Sequence, residues 1–290
     1  MWISPEGMDD HIPSWESIPL EEDNHIHLEG VNVMTEDITY LRPTGINTYL
    51  ECSAKFFFQE IEKIEVPNKS YLAFGTSIHK TLAVNYSQKV ETKKDIPVEE
   101  AKEIFSETFE EEFQKVDSID LADENPGVIK DQGIKLIEKY HKEVSPRIIP
   151  SAVEQKIKVK FKGYDFGLMG TIDLYDIDNQ LIDHKTTNKI VNGSVPLNYQ
   201  RQLSAYTILE EATGRIVKGA RVDYLKRDTI EIRHITVTID KEHFLKIFQT
   251  VGEAIEKGIF IPNRNSYLCS KRYCKYWNVC EKRYGGSIRD

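Results

Sequence analysis

Two acids and a lysine stand where a β-hairpin is expected, in residues 167–187, GLMGTIDLYDIDNQLIDHKTT. Alternating apolar and polar residues on both sides of an Asp/Asn-rich turn at 176–179 predict two antiparallel strands. Asp173 lies in the first strand, while Asp183 and Lys185 end the second strand on one face because they are two residues apart. Buried carboxylates need a compensating charge, which a hard cation such as Mg²⁺ or Mn²⁺ would supply. The alternative, from these residues alone, is a set of solvated charges at strand ends.

The elements that would position these residues are predicted from hydrophobic periodicity. Helical spacing of apolar residues predicts helices over residues 42–66, 71–88, 98–117, 127–144, 197–213 and 240–258. Alternation predicts further strands over residues 152–162, 216–226 and 230–238. We expect Thr44 to cap the first helix, and Thr76 or Ser77 to cap the second. This order predicts an α/β fold with a central mixed sheet flanked by helices.

Charge is unevenly distributed along the 290 residues, whose formal net charge is −9. Residues 1–38 contain ten acidic and no basic residues, so the rest of the chain is close to neutral. Residues 264–290 contain seven basic and two acidic residues, a local excess that favours phosphate binding. We interpret residues 1–38 as a solvated acidic extension. The alternative is that its acids shield a basic nucleic-acid face until substrate displaces them.

The sequence predicts a cytoplasmic protein with no membrane partner. No apolar run approaches the roughly 20 residues of a transmembrane helix, and no basic-then-apolar leader opens the sequence. The hydrophobic content of 40% indicates a packed core.

No P-loop motif, G-x4-G-K-[ST], occurs, so any helicase activity would belong to a partner protein.

Five short motifs follow one another along the chain. They are GTSIH with His79, VE with Glu154, GTIDLYD with Asp173, IDHKT with Asp183 and Lys185, and QLSAY with Gln202 and Tyr206. Their order and residue types resemble the RecB-like branch of the PD-(D/E)XK nuclease superfamily. That branch includes the RecB and AddB nuclease domains and the CRISPR-associated RecB-like nucleases. The segment LRPTGINTYLECSAKFFF resembles its opening motif, and the resemblance covers about residues 40–284.

The resemblance implies a domain organisation and roles for the motif residues. A nuclease domain over residues 39–290 would hold a helical section at about 42–147. A restriction-endonuclease-like α/β core at about 150–260 and a cysteine-bearing segment at 261–290 would follow. By resemblance, Mg²⁺ or Mn²⁺ would be bound by the side chains of His79, Asp173 and Asp183 and by the carbonyl of His184. Lys185 would stabilise charge on the phosphoryl group, and Glu154 would bind a second metal or its water. Gln202 and Tyr206 would help to place the DNA strand.

The four cysteines are divided one and three along the chain, as Cys52 and then Cys269, Cys274 and Cys280. From the residues alone, disulfides and independent free thiols are alternatives, although no secretory leader favours disulfides. Four thiolates also suit a tetrahedral zinc or an iron–sulfur cluster. The one-plus-three division resembles the iron–sulfur staple of AddB-type and CRISPR-associated nucleases. The resemblance therefore implies a [4Fe–4S] cluster, with Zn²⁺ as the alternative.

Aromatic and basic residues are interleaved in the cysteine-bearing segment. The aromatic ones are Tyr267, Tyr273, Tyr276 and Trp277, and the basic ones are Lys271, Arg272 and Lys275. They would either stack bases and bind phosphates or pack around the cluster.

Together, the motifs predict a metal-dependent DNA nuclease. By resemblance it is an exonuclease on single-stranded DNA or duplex ends, acting in recombination, DNA repair, phage DNA processing or CRISPR adaptation. A helicase or a recombination or CRISPR protein is the expected partner. The alternative is a non-catalytic nucleic-acid-binding or scaffold module that retains the fold.

Overall fold

The computed structural model describes residues 40–66, 70–116, 125–187 and 195–285, and the predicted acidic extension lies outside these ranges. The helices are α1 (Pro43–Glu51), α2 (Ser53–Phe56, continued by a π-helical turn over Phe57–Ile61), α3 (Ser70–Thr92), α4 (Val98–Phe113), α5 (Pro126–Glu143), α6 (Leu197–Ala212), α7 (Lys241–Glu256) and α8 (Trp277–Tyr284). The strands are β1 (Tyr40–Leu41), β2 (Pro150–Lys160), β3 (Gly167–Asp176), β4 (Gln180–Thr187), β5 (Gly219–Lys226) and β6 (Glu231–Val237).

The strands form one mixed sheet in the order β1-β3-β4-β5-β6, with β2 also paired to β3. Strand β3 is antiparallel to β2 and β4, and β5 is antiparallel to β6, whereas β4 runs parallel to β5. The parallel pair requires a crossover, which α6 provides between β4 and β5. The predicted central mixed sheet flanked by helices is confirmed.

Helices cover both faces of the sheet. On one face, which we call the α6 core, side chains of α6 and α7 pack against the strands, as do Ile46 of α1 and Phe56 of α2. On the other face, the α3 core, side chains of α3, α4 and α5 pack against Leu174, Ile182 and Leu225. Alternation along β4 therefore assigns Asp183 and Lys185 to the α6 core and His184 to the α3 core. Among the described residues, no helix is both long and apolar enough to cross a bilayer.

The predicted continuous helix over residues 42–66 is wrong. Its first turn begins at Pro43 rather than after a Thr44 cap, and the chain is extended at Cys52, with φ −162° and ψ 104°. The break is held from outside the helix, because Ser53 Oγ donates to the carbonyl of Ile261 at 3.1 Å. Apolar periodicity continues through Cys52, so periodicity could not reveal this break.

The predicted cap of the second helix is also wrong. Thr76 and Ser77 lie inside α3, which already includes Ser70 and continues to Thr92. Gly75, the residue before them, is also inside the helix and has a packing role at the candidate site.

Candidate functional site

The candidate site lies where the β3–β4 hairpin opens. The ladder between the two strands ends at the pair Leu174 and Ile182. Beyond this pair, the backbone N–H of His184 donates to Oδ2 of Asp173 at 2.9 Å in place of a ladder bond. The strands therefore separate at Asp173 and Asp183, and both carboxylates lie at the opening.

Strand β2 contributes Glu154 through a local change in its backbone. Glu154 lies between two ladder pairs, opposite Asp173, and has φ +46°. Ala152 and Ile157 both pack against the α6 core although five residues separate them. A regular strand would place them on opposite faces. The left-handed conformation at Glu154 accounts for this break in the alternation between the two faces of the sheet. Backbone strain of this kind is concentrated at functional sites.

Two glycines let the flanking helices approach the hairpin. A Cβ on Gly75 of α3 would lie 3.2 Å from Oγ1 of Thr186. A Cβ on Gly170 of β3 would lie 2.7 Å from the ring of Tyr206 in α6, closer than packing allows. The close approach of α3 brings His79, one turn after Gly75, over the opened strands.

His79, Glu154 and Asp173 each offer a ligand atom, and these atoms all lie within 4.8 Å of one another. His79 Nδ1 is 3.3 Å from Asp173 Oδ2. His79 and Glu154 also line a cavity of about 560 Å³, which connects the group to solvent. Asp183, predicted as a first-metal ligand, is not in this group of three, whereas Glu154, predicted for a second metal, is in it.

Asp183 forms the centre of a second, buried group on the α6 side. Lys185 Nζ lies 2.7 Å from Oδ2 and 2.9 Å from Oδ1 of Asp183. Gln202 donates from Nε2 to Asp183 Oδ1 at 3.3 Å and to the hydroxyl of Tyr206 at 2.8 Å. The ring of Tyr199, which the motifs missed, lies 5.2 Å from Lys185 Nζ in a cation–π contact. The structure thus brings the predicted residues of α6 and β4 together.

The acids at the opening differ in their pKa values. Burial alone would raise the pKa of Asp173, but the nearby His79 and the hydrogen bond from His184 outweigh it and hold the pKa well below its usual range. Burial raises the pKa of Asp183, although Lys185 opposes the rise. Burial would lower the pKa of Lys185, but the two aspartates raise it. The site therefore holds a charged ammonium beside acids whose charge invites a further cation.

The His184 side chain lies on the opposite face of β4 from Asp183 and Lys185. Its Nε2 is 2.9 Å from the hydroxyl of Tyr140, in the α3 core. One ring nitrogen is therefore bonded to a protein partner, while the other, Nδ1, lies 3.6 Å from Asp173 Oδ2. The predicted role of the His184 carbonyl stays a prediction.

All four cysteines line one cavity of about 560 Å³ between α2 and the C-terminal segment. They are free thiols in the structure, and Cys280 is buried with Ala54, Phe58 and Tyr276. The backbone N–H of Asn263 donates to Cys52 Sγ at 3.4 Å. The fold thus brings the early cysteine and the late three to one cavity across more than two hundred residues, and the cluster that the resemblance implies stays a prediction.

The aromatic residues of the tail divide into two sets. Tyr276 packs inside the small core around Cys280, 4% exposed, and Lys271 Nζ lies 4.7 Å from the ring centre of Trp277. Tyr267 and Tyr273 are 72% and 52% exposed. Tyr276 and Trp277 therefore pack within the segment, whereas Tyr267 and Tyr273 are open to a ligand.

The backbone at Glu154 allows a stability test. Glu154→Gly is expected to raise the free energy of unfolding by about 1 kcal/mol, because a left-handed conformation costs an L-residue about 1–2 kcal/mol and glycine almost none. Calorimetry should show Tm rising by about 2–4 °C. Glu154→Gln is the matched control, since it removes the charge and keeps the strained backbone. A Tm for the glycine variant at or below that of the glutamine variant would show that the conformation is not strained.

Comparison with known proteins agrees with this architecture. The family model of the PD-(D/E)XK nuclease superfamily matches residues 41–281, so the chain belongs to that superfamily. Among solved structures, a candidate exonuclease from Eubacterium rectale has 12% identity and a TM-score of 0.54, with 92% of this chain and 96% of that chain covered, which shows a shared fold. The structure of SSO0001 has 16% identity and a TM-score of only 0.34, with 71% of this chain and 94% of that chain covered. No curated protein matches the sequence.

Proposed function

We propose that this protein is a metal-dependent DNA nuclease that hydrolyses phosphodiester bonds at the opened β3–β4 hairpin. One observation carries the proposal: the ligand atoms of His79, Glu154 and Asp173 converge within 4.8 Å of one another, and the Asp183–Lys185 pair also lies at this opening. Membership of the PD-(D/E)XK nuclease superfamily supports it.

The residues at the opening fit a divalent cation. Two carboxylates with one imidazole suit Mn²⁺, and the carboxylates also suit Mg²⁺. Asp183 Oδ2 is buried and, within the described ranges, has no well-oriented hydrogen-bond donor, although Lys185 Nζ is 2.7 Å away. A nearby cation would stabilise such an oxygen. We therefore assign His79, Glu154 and Asp173 as ligands, with Asp183 beside them.

The chain's own residues would do most of the positioning for hydrolysis. A bound cation supplies a more acidic water and neutralises charge on the phosphoryl oxygens. Lys185, whose ammonium is held by Asp183 and by the ring of Tyr199, would stabilise the charge that develops on the phosphoryl group. Gln202, fixed by its bond to Tyr206, keeps the Asp183 carboxylate oriented.

The surface beside the centre supports single-stranded DNA, or a duplex end with a single-stranded tail, as substrate. Tyr71 and Leu72 line both the cavity at the metal centre and the cavity with the cysteines. At the second cavity, which Tyr273 also lines, the Arg272 guanidinium lies 5.6 Å from the ring centre of this exposed tyrosine, and the exposed Tyr267 packs edge-on against that ring. Exposed rings beside cations can stack bases and bind phosphates. Exonuclease action is proposed from the RecB-like resemblance.

We propose that the four cysteines bind a [4Fe–4S] cluster, as the resemblance to AddB-type and CRISPR-associated nucleases implies. Burial raises the pKa of Cys274 and Cys280, so these thiols are poor thiolates until a metal binds them. The choice of a [4Fe–4S] cluster over Zn²⁺ rests on that resemblance.

Incubation with end-labelled DNA tests the proposal. Wild-type protein should cut single-stranded DNA with Mn²⁺ or Mg²⁺ and leave it intact in EDTA, because its centre needs the cation. Release of mononucleotides or short fragments from one end would identify an exonuclease. If wild-type protein binds the DNA and cuts nothing with either metal, the alternative of a non-catalytic binding or scaffold module is correct.

The biological setting follows from the substrate. A nuclease acting on DNA ends would serve in recombination, repair, phage DNA processing or CRISPR adaptation, in the cytoplasm. A helicase or a recombination or CRISPR protein that exposes single strands would be its partner. The solvated acidic extension over residues 1–38 and its alternative, a shielding role, both stay predictions.

A further inference from the structure

Behind the opened hairpin lies a buried polar group that the nuclease motifs do not include. Tyr140 of α5 and Asp223 of β5 have no exposed surface, and His184 of β4 is 2% exposed. All three lie in or beside the α3 core, on the opposite side of β4 from Lys185. Buried polar groups are costly unless hydrogen bonds satisfy them, so this group calls for an explanation.

The hydroxyl of Tyr140 is fully used. It donates to Asp223 Oδ2 at 3.0 Å and lies 2.9 Å from Nε2 of His184. The hydroxyl of Tyr86 donates to it at 3.3 Å. A tyrosine hydroxyl has one proton, which goes to Asp223, so Nε2 of His184 must carry the proton of the other bond. This arrangement fixes both the tautomer and the rotation of the His184 ring.

Asp223 anchors the far end of the group. Arg221 donates from Nε to its Oδ1 at 2.9 Å, and His234 Nδ1 lies 2.6 Å from the same oxygen. Asp223 is also opposite His184 in the parallel β4–β5 ladder. The group therefore ties β4 to β5 and α5 through side chains as well as through the backbone.

The other end reaches the candidate metal centre. The backbone N–H of His184 donates to Asp173 Oδ2 at 2.9 Å, and its ring Nδ1 lies 3.6 Å from that oxygen. On this side β4 has no ladder bonds to β3, since pairing ends at Ile182. The ladder to β5 and the contacts of the His184 ring therefore orient the β4 backbone against Asp173 together.

We propose that Tyr140 is a positioning residue, whose hydroxyl locks His184 so that the His184 backbone holds Asp173 ready for a divalent cation. This inference rests on the proposed function, because it takes Asp173 to be a metal ligand. Tyr140 itself does not touch the cation or the substrate. It acts through His184, as hydrogen-bond partners one layer behind a metal ligand commonly do.

The test compares two buried tyrosines of the same layer. Tyr140→Phe should weaken Mn²⁺ binding by isothermal titration calorimetry about 10–100-fold. Cleavage at saturating Mn²⁺ should stay within about threefold of wild type, because the catalytic groups are all present. Tyr86→Phe is the matched control: it keeps the ring that stacks on His184, at 6.2 Å, and loses its hydroxyl's bonds to Tyr140 and Ser145, neither of which involves His184 or Asp173. Its Mn²⁺ affinity should stay within about threefold of wild type.

The outcomes separate this inference from the proposed function. Equal Mn²⁺ affinities for Tyr140→Phe and Tyr86→Phe, in a wild type that binds Mn²⁺ and cuts DNA, overturn the positioning role and leave the nuclease intact. Weakened binding by Tyr140→Phe in a protein that never cuts DNA supports the positioning role and removes the nuclease. A wild type that binds no Mn²⁺ overturns both. If Tyr140→Phe does not fold, Asp223→Asn makes the same test from the far end, with a loss of at least about threefold expected.

Discussion

The Asp183→Asn variant is expected to cut DNA at least about 10³-fold more slowly than wild type. Loss of a single preorganised electrostatic group lowers the rate about 10²–10³-fold. Asp183 lies beside the proposed cation and also holds Lys185, so its loss affects both. The amide keeps the volume of the carboxylate, and its single oxygen, placed at the Oδ1 position, can still accept from Lys185 and Gln202, which lie 2.9 and 3.3 Å from that atom. DNA affinity in EDTA should therefore be unchanged, and Tm should stay within a few degrees. Single-turnover digestion of end-labelled DNA with Mn²⁺, together with fluorescence anisotropy, measures these quantities.

Asp178→Asn is the matched control for this variant. Asp178 belongs to the same hairpin but is exposed in the turn between β3 and β4, away from the opening. Its cleavage rate should lie within about twofold of wild type. A rate for Asp183→Asn within tenfold of wild type would remove the opened hairpin as the catalytic centre.

The Cys274→Ser variant is expected to lose the bound cluster and about 10 °C or more in Tm. Structural metal sites contribute up to about 10–16 kcal/mol to folding. For a chain of this size each kcal/mol corresponds to roughly 2–4 °C. Wild-type protein purified without oxygen should contain iron and acid-labile sulfide and absorb near about 400 nm. Metal analysis and calorimetry of the two proteins give both results.

Ser270→Ala is the control beside the cysteines. Ser270 is 5% exposed, and its hydroxyl has no hydrogen-bond partner within the described part of the chain, so its loss should cost little stability. The variant should keep both its iron and its Tm. If the wild type contains zinc and no iron, the cysteines bind zinc rather than a cluster. If the Tm of Cys274→Ser is unchanged, the cysteines hold no structural metal group.

The parts of the site that sequence could predict are those set by local rules. Asp183 and Lys185 share a face because strand residues two apart always do, and Gln202 and Tyr206 share one because helical residues four apart do. Tyr199 was within reach of the same rule, since it lies three residues before Gln202. The role of His79 could be predicted only from the resemblance, because its distance to Asp173 depends on how α3 packs on the sheet.

Other features depend on contacts that periodicity does not record. The left-handed conformation of Glu154 changes which face its strand presents, and the surrounding alternation gives no sign of it. The bond of Tyr140 to Asp223 joins residues 83 positions apart. The break at Cys52 is held by residues near Ile261, 208 positions further on from Ser53. A one-dimensional pattern cannot predict such pairings.

The break at Cys52 lies beside a small core that joins distant parts of the chain, which has a consequence for folding during synthesis. Ala54 and Phe58 belong to a small core whose other members, Tyr276 and Cys280, leave the ribosome more than two hundred residues later. The segment around α2 must therefore wait, partly unpacked, while the sheet and its helices form. A nascent chain that carries the whole opened hairpin still lacks this contact between an early helix and a late one.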